Sequence, residues 1–262
     1  MKYLALFFLL LFVFSCQPSS NESITQESKE PVLGTHHSVS FKKVFEAHGG
    51  FENWNSKRQL SFERNDEKHL IELRNRKVLV KGADWTIGSD GENVWISPAE
   101  NSYRGDVRFF HNLYFYFFSM PFVLGDPGIS YEDLADKEIL GLNYGVIKIS
   151  YGAGVGDSPK DNYIIYYDKS TYQMAWLMYT ATFRTQVASE NFSLIKYEGW
   201  NAVDGVNLPS KLIWYEYKDG VVGNPRREVP FENIMINSEV PDNSLFTMPA
   251  DAKKVEMAST DN

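Results

Sequence analysis

Asp106-Val-Arg-Phe-Phe-His-Asn-Leu-Tyr-Phe-Tyr-Phe-Phe-Ser-Met-Pro-Phe-Val-Leu124 is the stretch that decides how the rest of the chain must fold. Eight aromatic side chains fall between Phe109 and Phe122. Drawn as a helix, it places Phe110, Tyr114 and Phe118 on one side and Phe109, Leu113, Tyr116 and Phe117 on others. A helix that is apolar all round is covered on every side. Burying a large apolar side chain is worth about 1.5–3 kcal/mol, so the eight together represent roughly 12–24 kcal/mol. The stretch is shorter than the about 20 apolar residues of a membrane span, and Pro121 interrupts it. Something in the fold must therefore wrap it.

On both sides the chain reads as strands. Leu60–Arg64, Leu70–Leu73, Lys77–Lys81, Trp85–Ile87 and Val94–Ile96 are short apolar or alternating runs, parted by polar turns such as Asn65-Asp66-Glu67 and Ser89-Asp90-Gly91-Glu92. Short strands at close spacing with no helix between them predict an antiparallel meander. After Gly125-Asp126-Pro127-Gly128, Tyr131–Asp136 reads as a short helical turn. Strands then resume at Lys137–Leu140, Tyr144–Tyr151, Tyr163–Tyr167, Tyr172–Phe183, Phe192–Trp200, Leu208–Tyr217 and Phe231–Asn237. The prediction is one continuous antiparallel sheet of about eleven or twelve strands. A helix opens the domain: Val39, Phe41, Val44 and Phe45 set its period, Ser38 or Ser40 caps it, and Gly49-Gly50 ends it. His48, in its last turn, reads as a cation suited to the helix dipole.

The faces of the strands bear on function. Along Tyr172–Phe183 one face carries Ala175, Leu177, Tyr179, Ala181 and Phe183, and the other carries Met174, Trp176 and Met178. Tyr163–Tyr167 is likewise apolar on both faces. A sheet with one wet face alternates cleanly. These strands do not, so the middle of the sheet is covered on both sides or lines an apolar cavity.

Composition narrows the class. The 262 residues suit one large β domain, and no repeat or second composition regime divides them. The 34 acidic and 26 basic residues give a net charge of −8 with no basic cluster, which argues against nucleic acid as a partner. A single cysteine excludes a disulfide framework and any multi-cysteine metal site.

That cysteine has a telling position. Met1-Lys2 is a short positive start, and Tyr3 to Phe14 is an apolar run of signal-peptide length. Val13-Phe14-Ser15-Cys16 resembles a bacterial lipobox: an aliphatic residue at −3, a small one at −1, then cysteine. Phe14 departs from the usual small residue at −2. The resemblance implies cleavage after Ser15, with Cys16 diacylglyceryl-modified and N-acylated by chains of the palmitate type. Several acyl chains anchor stably where one is marginal. Residues 1–15 are then the lipoprotein signal peptide, and 16–37 the acylated cysteine and its polar tether, rich in Ser and Glu. A single β-rich domain spans 38–250, and a disordered tail spans 251–262.

From Phe41 to Met248 the chain resembles a group of uncharacterised bacterial lipoproteins. The resemblance lies in Ala47-His48-Gly49-Gly50 with Trp54, Asp90-Gly91-Glu92-Asn93-Val94-Trp95, Asp204-Gly205-Val206-Asn207-Leu208-Pro209, and Val240-Pro241-Asp242 with Leu245-Phe246. More loosely, the order of elements is similar to the periplasmic lipoprotein carriers LolA and LolB. That likeness implies a mainly β fold with few helices: a large curved antiparallel sheet forming an incomplete β-barrel, its concave face plugged by helices. It supplies no cargo.

No catalytic signature emerges. Gly152-Ala-Gly154-Val-Gly156 lacks the lysine and following helix of a phosphate loop and reads as a hairpin tip. His36, His37, His48, His69 and His111 lie on different elements and form no ligand set. Asp157, Asp161 and Asp168 lack calcium-loop spacing and read as solvated turns. Glu63, Glu67 and Glu72 read as charges guarding strand edges rather than an acid–base pair. His111 reads as a satisfied core histidine.

The sequence thus predicts a non-enzymatic, membrane-anchored envelope lipoprotein, without cofactor or metal, and monomeric. It is expected at the outer membrane, facing the periplasm or the cell surface. It would hold a lipid or acylated protein in an apolar cavity lined by Phe110, Tyr114, Phe118, Trp176, Met178 and Trp214. Two rivals stand beside it: a non-catalytic subunit of an envelope complex, and an envelope hydrolase with an unrecognised site.

Overall fold

The computed structural model describes residues 37–100, 103–151 and 160–256. The expected signal peptide, Cys16, the expected tether up to His36, the glycine run from Gly152 to Gly156 with Asp157, and residues 257–262 lie outside the described residues.

The chain opens with α1 (Val39–Ala47) and α2 (Phe51–Ser56). The Ser38 side chain caps α1 by accepting the Phe41 N–H at 3.1 Å. Gly49 ends it with φ 101°, and a side chain there would meet the Gly205 carbonyl oxygen at 2.0 Å. Five strands follow: β1 (Gln59–Arg64), β2 (Glu67–Glu72), β3 (Lys77–Lys81), β4 (Thr86–Ser89) and β5 (Val94–Ser97). The aromatic stretch then forms α3 (Val107–Phe118), capped by the Asp106 carboxylate, which accepts the Phe109 N–H at 3.0 Å. A 3₁₀ turn, Phe122–Gly125, completes it.

After α3 come β6 (Ile129–Ile139), β7 (Leu142–Tyr151), β8 (Tyr163–Asp168), β9 (Met174–Tyr179), β10 (Ser193–Glu198), β11 (Asn201–Val203), β12 (Val206–Leu208), β13 (Lys211–Lys218), β14 (Val221–Pro230), β15 (Glu232–Asn237) and β16 (Lys253–Val255). Hydrogen bonding sorts them into two seven-stranded sheets, in the orders β15-β1-β2-β3-β4-β5-β16 and β14-β13-β10-β9-β8-β7-β6, with β11-β12 a small hairpin. The pairings within these sheets are antiparallel. Among the described residues neither sheet closes on itself, so the fold is mainly β, open and antiparallel, as the sequence predicts.

The single continuous sheet is corrected to two. Alternation reveals strands and their faces, but it does not reveal where a chain changes sheets. Here it leaves the first sheet after β5, passes through α3, and returns only between β14 and β15. Phe231 makes that crossing. Its N–H donates to the Ser210 carbonyl at 2.8 Å, and its ring packs 4.7 Å from Phe118 and 5.3 Å from Phe62.

Three further expectations change. Tyr131–Asp136 belongs to β6 rather than to a helical turn. The strand is an edge loaded with Glu132, Asp133, Asp136, Lys137 and Glu138, charges that discourage another chain from pairing there and that erase strand alternation. Lys253–Val255, expected within the disordered tail, pairs with β5 as an edge strand. His48, expected as a cation, is fully buried. Its Nδ1–H donates to the Val44 carbonyl and its Nε2 accepts the Met174 N–H, an arrangement that requires the neutral ring.

One core joins the inner faces of both sheets with α1 and α3. Ile71, Val78 and Ile87 contribute from the first sheet, and Ile147, Ile165, Leu177 and Leu212 from the second. The outer face of the second sheet carries a cluster of its own, built on Tyr144, Tyr166, Trp176, Met178 and Leu194. The doubly apolar strands of the sequence are explained in this way: each face of the second sheet carries an apolar cluster of buried side chains.

Candidate functional site

The two sides of α3 meet different surroundings. Phe110, Tyr114 and Phe118 face the first sheet. Phe118 packs 4.5 Å from Phe62, Phe110 lies 6.0 Å from Trp85, and the Arg64 guanidinium sits 3.7 Å from the centre of the Tyr114 ring. On the other side, Phe109, Asn112, Leu113, Tyr116 and Phe117 recur at helical spacing and look onto open space above the second sheet. The all-round apolarity of the stretch thus has two explanations: one stripe is core, and the other roofs a cavity.

That half-enclosed cavity has a volume of about 730 Å³. Its floor is laid by alternate residues of the second sheet: Tyr151 on β7, Tyr163 on β8, Tyr179 on β9 and Trp214 on β13, continued by Ala181 and Phe183 beyond β9. The phenols are organised. Trp214 Nε1–H donates to the Tyr179 hydroxyl at 3.1 Å, and Phe117 packs 4.9 Å from the Tyr179 ring. Burial raises the pKa of Tyr151, Tyr163 and Tyr179, so these hydroxyls stay protonated and offer dipoles rather than charge.

Two carboxylates border the space, and both are engaged. Asp161 accepts the Thr182 N–H at 2.6 Å and the Tyr163 hydroxyl at 3.4 Å, while burial raises its pKa. Asp126 is held by Arg76 Nη2 at 2.8 and 2.9 Å. At the far edge stand Arg226 and Arg227 on β14. Arg227 donates to the Tyr114 hydroxyl and lies 5.4 Å from the Trp214 ring. Among the described residues the lining holds no histidine, cysteine or serine. It offers shape and polarity: aromatic rings, phenols, the two engaged carboxylates and the Thr180 hydroxyl, which accepts the Asn162 N–H at 2.9 Å. No group of three or more metal-ligating side chains occurs among the described residues, and no helix there is long and apolar enough to cross a membrane.

The sequence-derived lining residues divide sharply. Trp214 borders the cavity, and Tyr114, though its ring faces the first sheet, reaches it beside Arg227, to which its hydroxyl is bonded. Phe110 and Phe118 do not, because their side of α3 is pressed on the first sheet. Trp176 and Met178 do not either, because they project from the opposite face of β9. There Trp176 packs 5.0 Å from Tyr215, beneath the Lys196 ammonium at 5.7 Å. The sequence showed that both faces of β9 are apolar, and alternation alone does not say which one meets the helix. Phe109, Leu113, Tyr116, Phe117, Tyr179 and Phe183 take their place. Arg226 and Arg227 were missed altogether, since Gly223-Asn224-Pro225 ahead of them reads as a turn.

No protein-family model matches the chain, and no curated protein matches it either. Among solved structures, a LolA superfamily protein from Nitrosomonas europaea aligns with TM-score 0.46 and 13% identity, over 80% of this chain and 98% of that one. A DUF1329 family protein from Desulfovibrio piger aligns with TM-score 0.47 and 10% identity, over 79% and 95%. A domain named for outer membrane lipoprotein sorting, from Vibrio parahaemolyticus, aligns with TM-score 0.39 and 8% identity, over 76% and 96%.

Proposed function

We propose that this chain is an envelope lipoprotein, anchored through acylated Cys16, that holds an apolar ligand beneath α3. The ligand is a lipid or the acyl part of a lipid-bearing protein. The cavity carries this reading: its about 730 Å³ falls within the roughly 300–1,000 Å³ of ligand sites, and aromatic side chains dominate its walls. A helix serving only as a core plug would fill that space, whereas α3 fills one side and leaves the other open. Binding rather than catalysis suits a lining whose carboxylates are engaged and whose phenols stay neutral. The anchor rests on the lipobox-like Val13–Cys16 and on the position of the sole cysteine.

The test is mass spectrometry of lipid extracted from the full chain purified from membranes, beside a Leu113→Trp variant. Leu113 is half-buried on the cavity side of α3, so the indole would occupy ligand space. Co-purifying lipid at near one per chain, lost in the folded variant, is the expected result. Equal lipid in both would place any bound lipid elsewhere and defeat the reading.

A further inference from the structure

We infer that the ligand is an amphiphile with an anionic head group, its acyl chain lying under α3 and its carboxylate or phosphate held by Arg226 and Arg227. The inference rests on the apolar-ligand reading above and adds the polarity of the ligand and its direction in the cavity.

The placement of the two arginines is the first argument. Consecutive residues of a strand point to opposite faces, yet both of these line the same cavity. A β-bulge accounts for it. Trp214 pairs with Arg227 and Tyr215 pairs with Pro225, so Arg226 is an extra residue in β14 opposite that step. Bulges re-aim side chains in this way and are enriched beside functional sites. The result is two adjacent guanidiniums on one rim, a geometry suited to an oxyanion with several acceptor oxygens.

The second argument is charge. Among the described residues no carboxylate forms an ion pair with either arginine. The acidic side chains on β13 and β14 have other partners: Glu216 accepts the Asn224 N–H at 3.4 Å, and Glu228 lies 3.8 Å from Lys211. Asp126 is neutralised by Arg76, and Asp161 stands on the β8 side of the cavity with its own donors. Among the described residues the cationic rim therefore has no internal counter-charge. Both side chains are exposed, which places the head group at solvent and sends the tail inward over Trp214 and the tyrosines.

The third argument is length and composition. From β14 to β7 the floor crosses five strand spacings, roughly 24 Å at about 4.8 Å each. That is the scale of a long extended acyl chain. A peptide of that length would need partners for every backbone group. The floor instead presents rings, and its Tyr179 and Tyr163 hydroxyls are already bonded to Trp214 and Asp161.

The experiment uses the full chain in lipid nanodiscs and two photoreactive probes, a palmitate with a diazirine near its methyl end and the methyl ester of the same molecule. Labelled peptides are mapped by mass spectrometry. Labelling of the cavity floor by the acid at least tenfold above the ester, with the preference lost in Arg226→Gln/Arg227→Gln and retained in Arg226→Lys/Arg227→Lys, is the expected result. Circular dichroism checks that each variant is folded. Equal labelling by acid and ester, unchanged in the glutamine variant, overturns the head-group assignment and leaves the apolar cavity standing. Absence of cavity labelling by either probe defeats the apolar-ligand reading itself. Competition by millimolar inorganic phosphate or acetate as effective as that by unlabelled palmitate shows a free-anion site instead, and also overturns the proposal.

Discussion

The Arg64 guanidinium lies under the ring of Tyr114, 3.7 Å from its centre, while the hydroxyl of the same tyrosine accepts a hydrogen bond from Arg227. Arg64 belongs to β1 and Arg227 to β14, so one side chain of α3 is held by a cation from each sheet. Tyr114→Phe keeps the ring over Arg64 and loses only the bond from exposed Arg227. Its expected cost is under about 1 kcal/mol. Tyr114→Ala removes a side chain buried between the sheets and should cost about 3–5 kcal/mol. It would also uncover Arg64, whose charge is balanced by Glu67 in a site nearly closed to water. Denaturant unfolding of both variants, with Arg227→Gln alone and combined with Tyr114→Phe, checks this. Simple additivity of the two mild changes would show that the Arg227 bond contributes nothing.

The histidine buried beside α1 predicts a pH dependence. Burial pulls the His48 pKa from 6.5 down to about 4, against the opposing effect of its bond to Val44. Between those values the unfolded chain binds a proton that the folded chain does not. This contribution to stability is therefore full above pH 6.5 and shrinks as pH falls toward 4. The gap from 6.5 to about 4 corresponds to roughly 3 kcal/mol. His69 acts in the same direction: burial lowers its pKa despite the neighbouring Glu67. His48→Gln keeps a donor and an acceptor at the site but does not titrate. Unfolding free energies at pH 7 and pH 4.5 should differ markedly less in this variant than in the native chain. Identical pH slopes would refute the assignment.

What was legible in the sequence follows from what repeats locally. The period of α1, a serine cap at Ser38 or Ser40 and its glycine stop could be read directly, as could a helix over Phe109–Phe118, which the structure extends back to Val107, and the need to cover it. Choices between equivalent patterns could not. Trp176 and Met178 alternate with Leu177 and Tyr179, and only the three-dimensional placement of α3 says which set it meets. β6 hid behind its charges and β14 behind Gly223-Asn224-Pro225. The re-aiming of Arg226 beside Arg227 depends on a bulge whose register is set by β13, and no local pattern records it.

The anchor has its own test. Cys16→Ser removes the thiol that would carry the acyl chains and should shift the protein from the membrane fraction to the soluble periplasmic fraction, or leave it as unprocessed precursor. Metabolic labelling with an alkyne-tagged palmitate should mark the native chain and not the variant. Full membrane association of a processed Cys16→Ser protein would remove the basis for a lipid anchor.

The two stripes of α3 predict that stability and binding can be separated on one helix. Phe118 is fully buried between Phe62 and Phe231, on the side away from the cavity. Phe118→Ala should cost about 3–5 kcal/mol, yet leave the cavity lining chemically unchanged. Phe109 and Leu113 are only half-buried and border the cavity, so truncating them exposes little new core. Phe109→Ala with Leu113→Ala should therefore cost less stability than Phe118→Ala while altering the affinity for a neutral apolar dye severalfold. Dye titrations belong well below the unfolding temperature of the weakest variant, with folding followed by circular dichroism. If dye affinity instead tracks stability across all three substitutions, the cavity side of α3 has no role distinct from the core. The space beneath it is then a packing defect rather than a binding site.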